Sequence, residues 1–215
     1  MSIKTKLVTA ATAVTVMAGV AVAGTLTANA ATPKCGATCS DFYSGTTGTA
    51  FVLAAPRKVG QPVTLARADR ARKGEDFSVD ALGTVHDFYR AGLLAGGLDK
   101  LYSGLFVYEI EYTPGAAPSD LCLGTARTPG AGTPVALEPC GMMAKTVWIF
   151  ARQKTSTGTY YALISAATSN SFQHPYVLTS LKPGAPLVTA HQVTGTDGHQ
   201  LWSAEAGVLP SSSAH

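Results

Sequence analysis

Charge is scarce in this sequence: 16 Lys and Arg and 13 Asp and Glu make up 13% of its 215 residues, and the two signs are interspersed. The one basic cluster, Arg67 to Lys73, contains Asp69 and runs into Glu75 and Asp76. Such a chain has no basic track for phosphates and no stripe to draw it to lipid, so neither nucleic acid nor membrane is expected among the partners of the mature protein. Catalytic signatures are missing too. No Gly-x-Ser-x-Gly elbow, His-Glu-x-x-His pair or Gly-rich phosphate loop occurs, and no enzyme, cofactor or metal is expected. His86 and Asp87 are adjacent in a segment read as extended, where neighbours point to opposite faces. Glu109 and Glu111 share one strand face, side by side rather than across the gap that a glycosidase pair needs.

What the sequence does have begins with Lys4 and Lys6 ahead of an apolar run, Leu7 to about Val22, and then Ala28-Asn29-Ala30. A basic start, a short apolar stretch and small residues two apart predict a cleaved secretory signal over 1–30 and an extracellular protein. Four cysteines remain, Cys35, Cys39, Cys122 and Cys140, which an oxidising compartment would pair. A metal at Cys35-x-x-x-Cys39 would need two further ligands nearby, and none is in sight. Residues 31–49, rich in Gly, Ser and Thr, read as a leader outside the main domain. The end, 210–215, is polar and reads as a flexible tail.

Between them one block occurs three times. Its second copy runs Leu121-Cys122-Leu123-Gly124, a Pro/Gly turn, Gly132-Thr133-Pro134-Val135-Ala136-Leu137-Glu138-Pro139-Cys140, a loop, and Thr146-Val147-Trp148. The first copy has Phe51-Val52-Leu53, Gly60-Gln61-Pro62-Val63-Thr64-Leu65 and Glu75-Asp76-Phe77. The third has Tyr176-Val177-Leu178, Gly184-Ala185-Pro186-Leu187-Val188-Thr189 and Gln200-Leu201-Trp202. From the Gly of Gly-x-Pro to the closing aromatic the steps are 17, 16 and 18 residues (60 to 77, 132 to 148, 184 to 202). Equal blocks of short strands that cannot each cover an apolar face predict units packed around a shared core. Two strands of each unit would form a barrel and two a hairpin cap, with Phe77, Trp148 and Trp202 as an inward layer and Leu65, Leu137 and Thr189 as a second. Cys122 and Cys140 then meet across the second unit, which leaves Cys35 to close a small loop with Cys39.

The threefold block, the Cys122-Leu123 to Pro139-Cys140 spacing and the closing Gln200-Leu201-Trp202 resemble the ricin-type β-trefoil lectin family, as a degenerate member of a secreted bacterial type. The resemblance covers about 160 residues, Phe51 to Leu209. It implies an all-β fold, a β-trefoil of repeats 50–119, 120–173 and 174–209, and carbohydrate binding without catalysis. In that family the residue after the first-strand Cys-Leu is an Asp that grips sugar hydroxyls, and an aromatic platform ends the second strand. Here these positions hold Ala54, Gly124 and Thr179, and Ala66, Glu138 and Ala190. The polar pair before the last aromatic survives as His199-Gln200, and Gln200 is expected to bond backbone at the barrel closure.

The step from Gly60 to Gly132 is 72 residues and that from Gly132 to Gly184 is 52, so about 20 extra residues sit in the first repeat. They are assigned to an insertion within 78–118, in which Ala91 to Leu101 holds a single helical turn at most because of Gly92, Gly96 and Gly97. If a sugar site has been rebuilt, the insertion supplies it: Tyr89, Tyr108 and Tyr112 as stacking rings, with Phe88 and Tyr102, and Asp87, Glu109 and Glu111 as hydroxyl acceptors. The expected partner is a glycan or a secreted protein. The alternatives are a protein-recognition trefoil, such as a hydrolase inhibitor using Ala91–Leu101 or Pro114–Ser119 as its loop, and a structural cell-envelope protein.

Overall fold

In the computed structural model the described residues are 40–68, 74–167, 175–192 and 197–205. They form twelve strands and two short helices: β1 Asp41–Ser44, β2 Phe51–Ala54, β3 Thr64–Arg67, β4 Phe77–Thr84, α1 Val85–Arg90, α2 Gly96–Tyr102, β5 Phe106–Tyr112, β6 Leu121–Thr125, β7 Thr133–Pro139, β8 Val147–Lys154, β9 Thr159–Ser165, β10 Tyr176–Thr179, β11 Val188–His191 and β12 Trp202–Glu205. The signal region, the Cys35–Cys39 pairing and the tail lie outside the described residues.

Six strands close on themselves. β4 pairs with β5, β5 with β8, β8 with β9, β9 with β12 and β12 with β1, all antiparallel, and the bridge between Ser40 and Phe77 completes the circle. A closed sheet leaves no unpaired edge. The other six strands form the hairpins β2–β3, β6–β7 and β10–β11. Near the axis these hairpins hydrogen-bond in a cycle: Val63 N–H to the Val135 carbonyl at 2.9 Å, Val135 N–H to Leu187 at 2.9 Å, and Leu187 N–H to Val63 at 2.8 Å. Each hairpin turns at a glycine of positive φ, 74° at Gly60, 74° at Gly132 and 79° at Gly184, a conformation costly to any residue with a Cβ. The three turn amides donate to the next hairpin in the same order, Gly60 to Leu137, Gly132 to Thr189 and Gly184 to Leu65, each at 2.8 Å. The sequence repeat is thus a spatial threefold.

Inside the barrel Phe77, Trp148 and Trp202 are fully buried, with Val63, Val135, Leu187, Leu65 and Leu137 packed in the same cluster. Each tryptophan also satisfies a strand carbonyl, Trp148 Nε1–H to Leu123 at 2.8 Å and Trp202 Nε1–H to Leu178 at 3.0 Å. Thr189, smaller than its leucine counterparts, is buried and donates its hydroxyl to the Gly130 carbonyl at 2.8 Å. The Cys122–Cys140 disulfide is present, with Cα atoms 4.9 Å apart across β6 and β7.

Three readings of the sequence change. The leader contributes β1, which pairs with β12 as β5 pairs with β4 and β9 with β8: Ser44 lies opposite Trp202, Tyr112 opposite Phe77 and Ser165 opposite Trp148. The third unit is therefore completed by the beginning of the chain. The insertion is confined to 85–105, because β4 and β5 are the regular third and fourth strands of the first unit. Its secondary structure also differs. Val85–Arg90 is helical, opened by a capping box in which the Thr84 hydroxyl accepts from the Asp87 amide and the Asp87 carboxylate from the Thr84 amide. α2 extends over seven residues despite Gly96 and Gly97. Tertiary packing outweighs propensity here, since Val85, Leu94 and Leu98 are buried with Val107, Val147, Ile149 and Ile164 of the barrel strands and Val177 of β10.

Candidate functional site

Strand β5 carries four of the proposed ligand contacts, and the barrel consumes all of them. From Tyr108 on, its even residues face inward. Tyr108 is buried edge-on to Phe150 with ring centroids 4.9 Å apart, and Tyr112 lies 5.7 Å from Phe77. Burial pushes the Tyr108 hydroxyl up from the ordinary tyrosine range. The odd residues face the junction with the second unit. Glu109 Oε1 accepts from the Gly141 amide at 2.7 Å and the Thr146 hydroxyl at 2.6 Å, and Glu111 Oε1 from the Ser119 and Asp120 amides at 3.0 and 3.1 Å. Both carboxylates are engaged by protein loops. Glu109 also lies within 4.8 Å of Cys122 and Cys140, but both sulfurs are spent in the disulfide, so the trio is no metal centre.

On the insertion, Asp87 and Tyr89 are exposed. The Thr84 hydroxyl donates to Asp87 Oδ2 at 2.6 Å, and this bond with the Thr84 amide holds the carboxyl below its ordinary range. Tyr89 lies over Gly96, where an added Cβ would come within 3.3 Å of the ring. His86 Nδ1 and Asp99 Oδ1 stand 3.1 Å apart, yet among the described residues no hydroxyl or thiol donates to that histidine. Tyr102, half-buried, donates its hydroxyl to Gln192 Oε1 of the third unit at 3.2 Å.

The three positions equivalent to a lectin sugar pocket have diverged. In the second unit the place is filled: a Cβ on Gly124 would sit 3.1 Å from Thr146 Cγ2 and 3.2 Å from Glu138 Cβ, and Glu138 is paired with Lys145 at 3.3 Å. In the first unit Ala54 and Ala66 offer no side-chain polar atom. The third unit keeps a polar floor. Gln200 is buried and donates through Nε2 to the His191 carbonyl at 2.8 Å and to Thr179 Oγ1 at 3.5 Å, while His199 beside it is exposed. At the rim the Tyr176 and His191 rings lie 4.4 Å apart with a 31° interplanar angle, His191 exposed and Tyr176 partly so. Sequence reasoning passed over this pair. The signal was available in the repeat, which sets Tyr176 opposite His191 as it sets Leu121 opposite Pro139 and Phe51 opposite Arg67.

No protein-family model and no curated protein matches the chain. Among solved structures it is similar to a designed threefold-symmetric protein, ThreeFoil, with a TM-score of 0.53 at 14% identity over 77% of this chain and 96% of that one. The fold is a β-trefoil. A trefoil arrangement also underlies the similarity to the Polyporus squamosus lectin, solved with the epitope Neu5Acα2-6Galβ1-4GlcNAc (TM-score 0.50, 11% identity, 80% of this chain). A mosquitocidal holotoxin matches at a TM-score of 0.51 and 11% identity over 79% of this chain. This trefoil spans 50% of the lectin chain and 17% of the holotoxin chain.

Proposed function

We propose that this trefoil is a secreted, non-catalytic binding protein whose ligand is a glycan held at the third unit. The observation that carries the reading is the Tyr176–His191 ring pair at the surface of the β10–β11 hairpin, with the His191 backbone held by Gln200. A sugar needs an aromatic face for its C–H surface and directional polar groups for its hydroxyls. The third unit offers the first in Tyr176 and His191 and the second in exposed His199, while the buried Thr179 hydroxyl is taken up by the Val177 carbonyl and Gln200. Gln200 acts behind them, fixing the His191 backbone and with it the platform. The lectin among the similar structures lends the ligand class by analogy of fold.

The test is a glycan array probed with the purified protein and with a Tyr176→Ala/His191→Ala double variant. Retained binding to at least one glycan by the parent and its loss, about ten-fold or more, in the variant is the expected result, since stacked aromatic contacts are worth on the order of 1–2 kcal/mol. A blank array for the folded parent retires the glycan reading. A hit untouched by the double variant moves the site elsewhere.

A further inference from the structure

Three buried carboxylates gather around the disulfide, and the third-unit site uses none of them. Residues directly opposite each other in an antiparallel pair share a face, with Cβ atoms about 5 Å apart. Cys122 lies opposite Glu111 of β5 on one side and opposite Glu138 of β7 on the other. Glu109 stands two residues before Glu111, and Cys140 two residues after Glu138, so alternation returns both to that face. A Glu109 carboxylate oxygen lies within 4.8 Å of both sulfurs. Glu109, Glu111, Glu138 and Cys122 are all buried, while Cys140 is partly exposed. The donors to Glu109, the Gly141 amide and the Thr146 hydroxyl, are neutral and leave its negative charge in place. Lys145 answers a second of the three, reaching Glu138 at 3.3 Å.

These charges bear on thiol–disulfide exchange. An external thiolate must bond to one sulfur and drive the S–S electron pair onto the other. Burial closes Cys122 to attack. Cys140 is open to it, but the electron pair then leaves on Cys122 Sγ, which becomes a buried thiolate beside Glu109 and between Glu111 and Glu138. Burial and like charge both oppose a thiolate, and a poorer leaving thiolate slows the exchange. Between unit charges 4–5 Å apart near a protein surface, even part of the Coulomb repulsion is worth about ten-fold in rate.

We propose that Glu109, with Glu111 and Glu138, guards the Cys122–Cys140 bond against reduction by thiols. The β6–β7 hairpin then stays stapled in the presence of small thiols, and the bond is a permanent clasp, not a switch. None of these residues belongs to the glycan site, so the two proposals stand or fall separately.

Reduction by dithiothreitol is the test. Its first thiolate forms a mixed disulfide at Cys140 and releases Cys122. Its second displaces Cys140, which leaves two protein thiols and the cyclic oxidised reagent, and alkylation at timed intervals counts the thiols released. Glu109→Gln keeps an oxygen to accept from Gly141 and Thr146 but removes the charge, so its bond should be reduced about ten-fold faster than the parent's under native conditions. Lys145→Gln removes the cation beside Glu138 and should slow reduction about three-fold or more. A loosened fold can only speed exchange, so slower reduction in Lys145→Gln has an electrostatic cause, and this arm stays decisive if Glu109→Gln is poorly folded. Reduction of Glu109→Gln at the parent's rate overturns the proposal. Reduction of Lys145→Gln at or above the parent's rate overturns it as well.

Discussion

One slot of the barrel is filled three times, with two solutions to the same requirement. Phe77, Trp148 and Trp202 occupy equivalent positions, but only the tryptophans carry an N–H to meet the first-strand carbonyl, at Leu123 and Leu178. Trp148→Phe should therefore mimic the first unit's ring while leaving the Leu123 carbonyl unmet and a gap beside it, a loss of about 1–3 kcal/mol in urea unfolding. Trp148→Ala should cost about 3–5 kcal/mol. A loss below about 1 kcal/mol for the alanine variant would contradict the ring's place at the core. These aromatics were legible because spacing alone repeats them. Tyr108, Tyr112, Glu109 and Glu111 were not. Alternation along Phe106–Tyr112 says which residues share a face, but here both faces are covered, one by the barrel interior and the other by a helix, a loop and the disulfide. An apolar–acidic alternation then looks like a half-exposed strand although, from Val107 on, neither side is wet.

Among the elements, β5 is the hinge between the first two units. Through Glu111 it receives the two amides that lead into β6, and through Glu109 it receives the loop between β7 and β8. Glu109→Ala should take the carboxylate acceptor from the Gly141 amide and leave the buried Thr146 hydroxyl with the Met142 carbonyl alone, lowering stability by about 1 kcal/mol. Glycan binding by the folded fraction should stay unchanged; a selective loss of binding at constant stability would return Glu109 to the ligand site. The insertion was legible in length, since the unequal repeat steps match 85–105, but not in conformation. Its helices depend on Val85, Leu94 and Leu98 finding the outer wall of β5, β8 and β9, a long-range contact that no local pattern records. The rim pair Tyr176–His191 escaped for a related reason: the two residues become neighbours only when β10 and β11 pair.

At the scale of the molecule, the threefold is sound while the chain is out of phase with it. Two units are contiguous, and the third borrows β1 from the other end of the domain, where Phe42 is buried against Phe77 and Phe150 and Ser44 Oγ meets Ser180 Oγ at 2.9 Å. A circular permutant that begins at Phe51 and carries residues 40–50 behind residue 205, through a turn of the length of 155–158, should fold to the same barrel. Its near-ultraviolet circular dichroism should match the parent's and its melting should stay cooperative. Removal of 40–50 without reattachment should abolish that cooperativity, because β12 and β2 both lose a partner. A cooperative native-like melt after simple removal would show that β1 is dispensable. The repeat made the architecture readable from sequence, and this offset hid one strand in twelve: Asp41-Phe42-Tyr43-Ser44 has too little length to announce itself and no counterpart at its own end of the chain.

The offset also sets a timetable. The strand made first has its main partner in the strand made last, so no nascent chain shorter than residue 205 can close the ring, however well its first two units have collapsed. Until that moment the edge of β1 that faces β12 stands unpaired. Closure of the ring is thus held back until synthesis has passed residue 205, whatever the first two units have done by then.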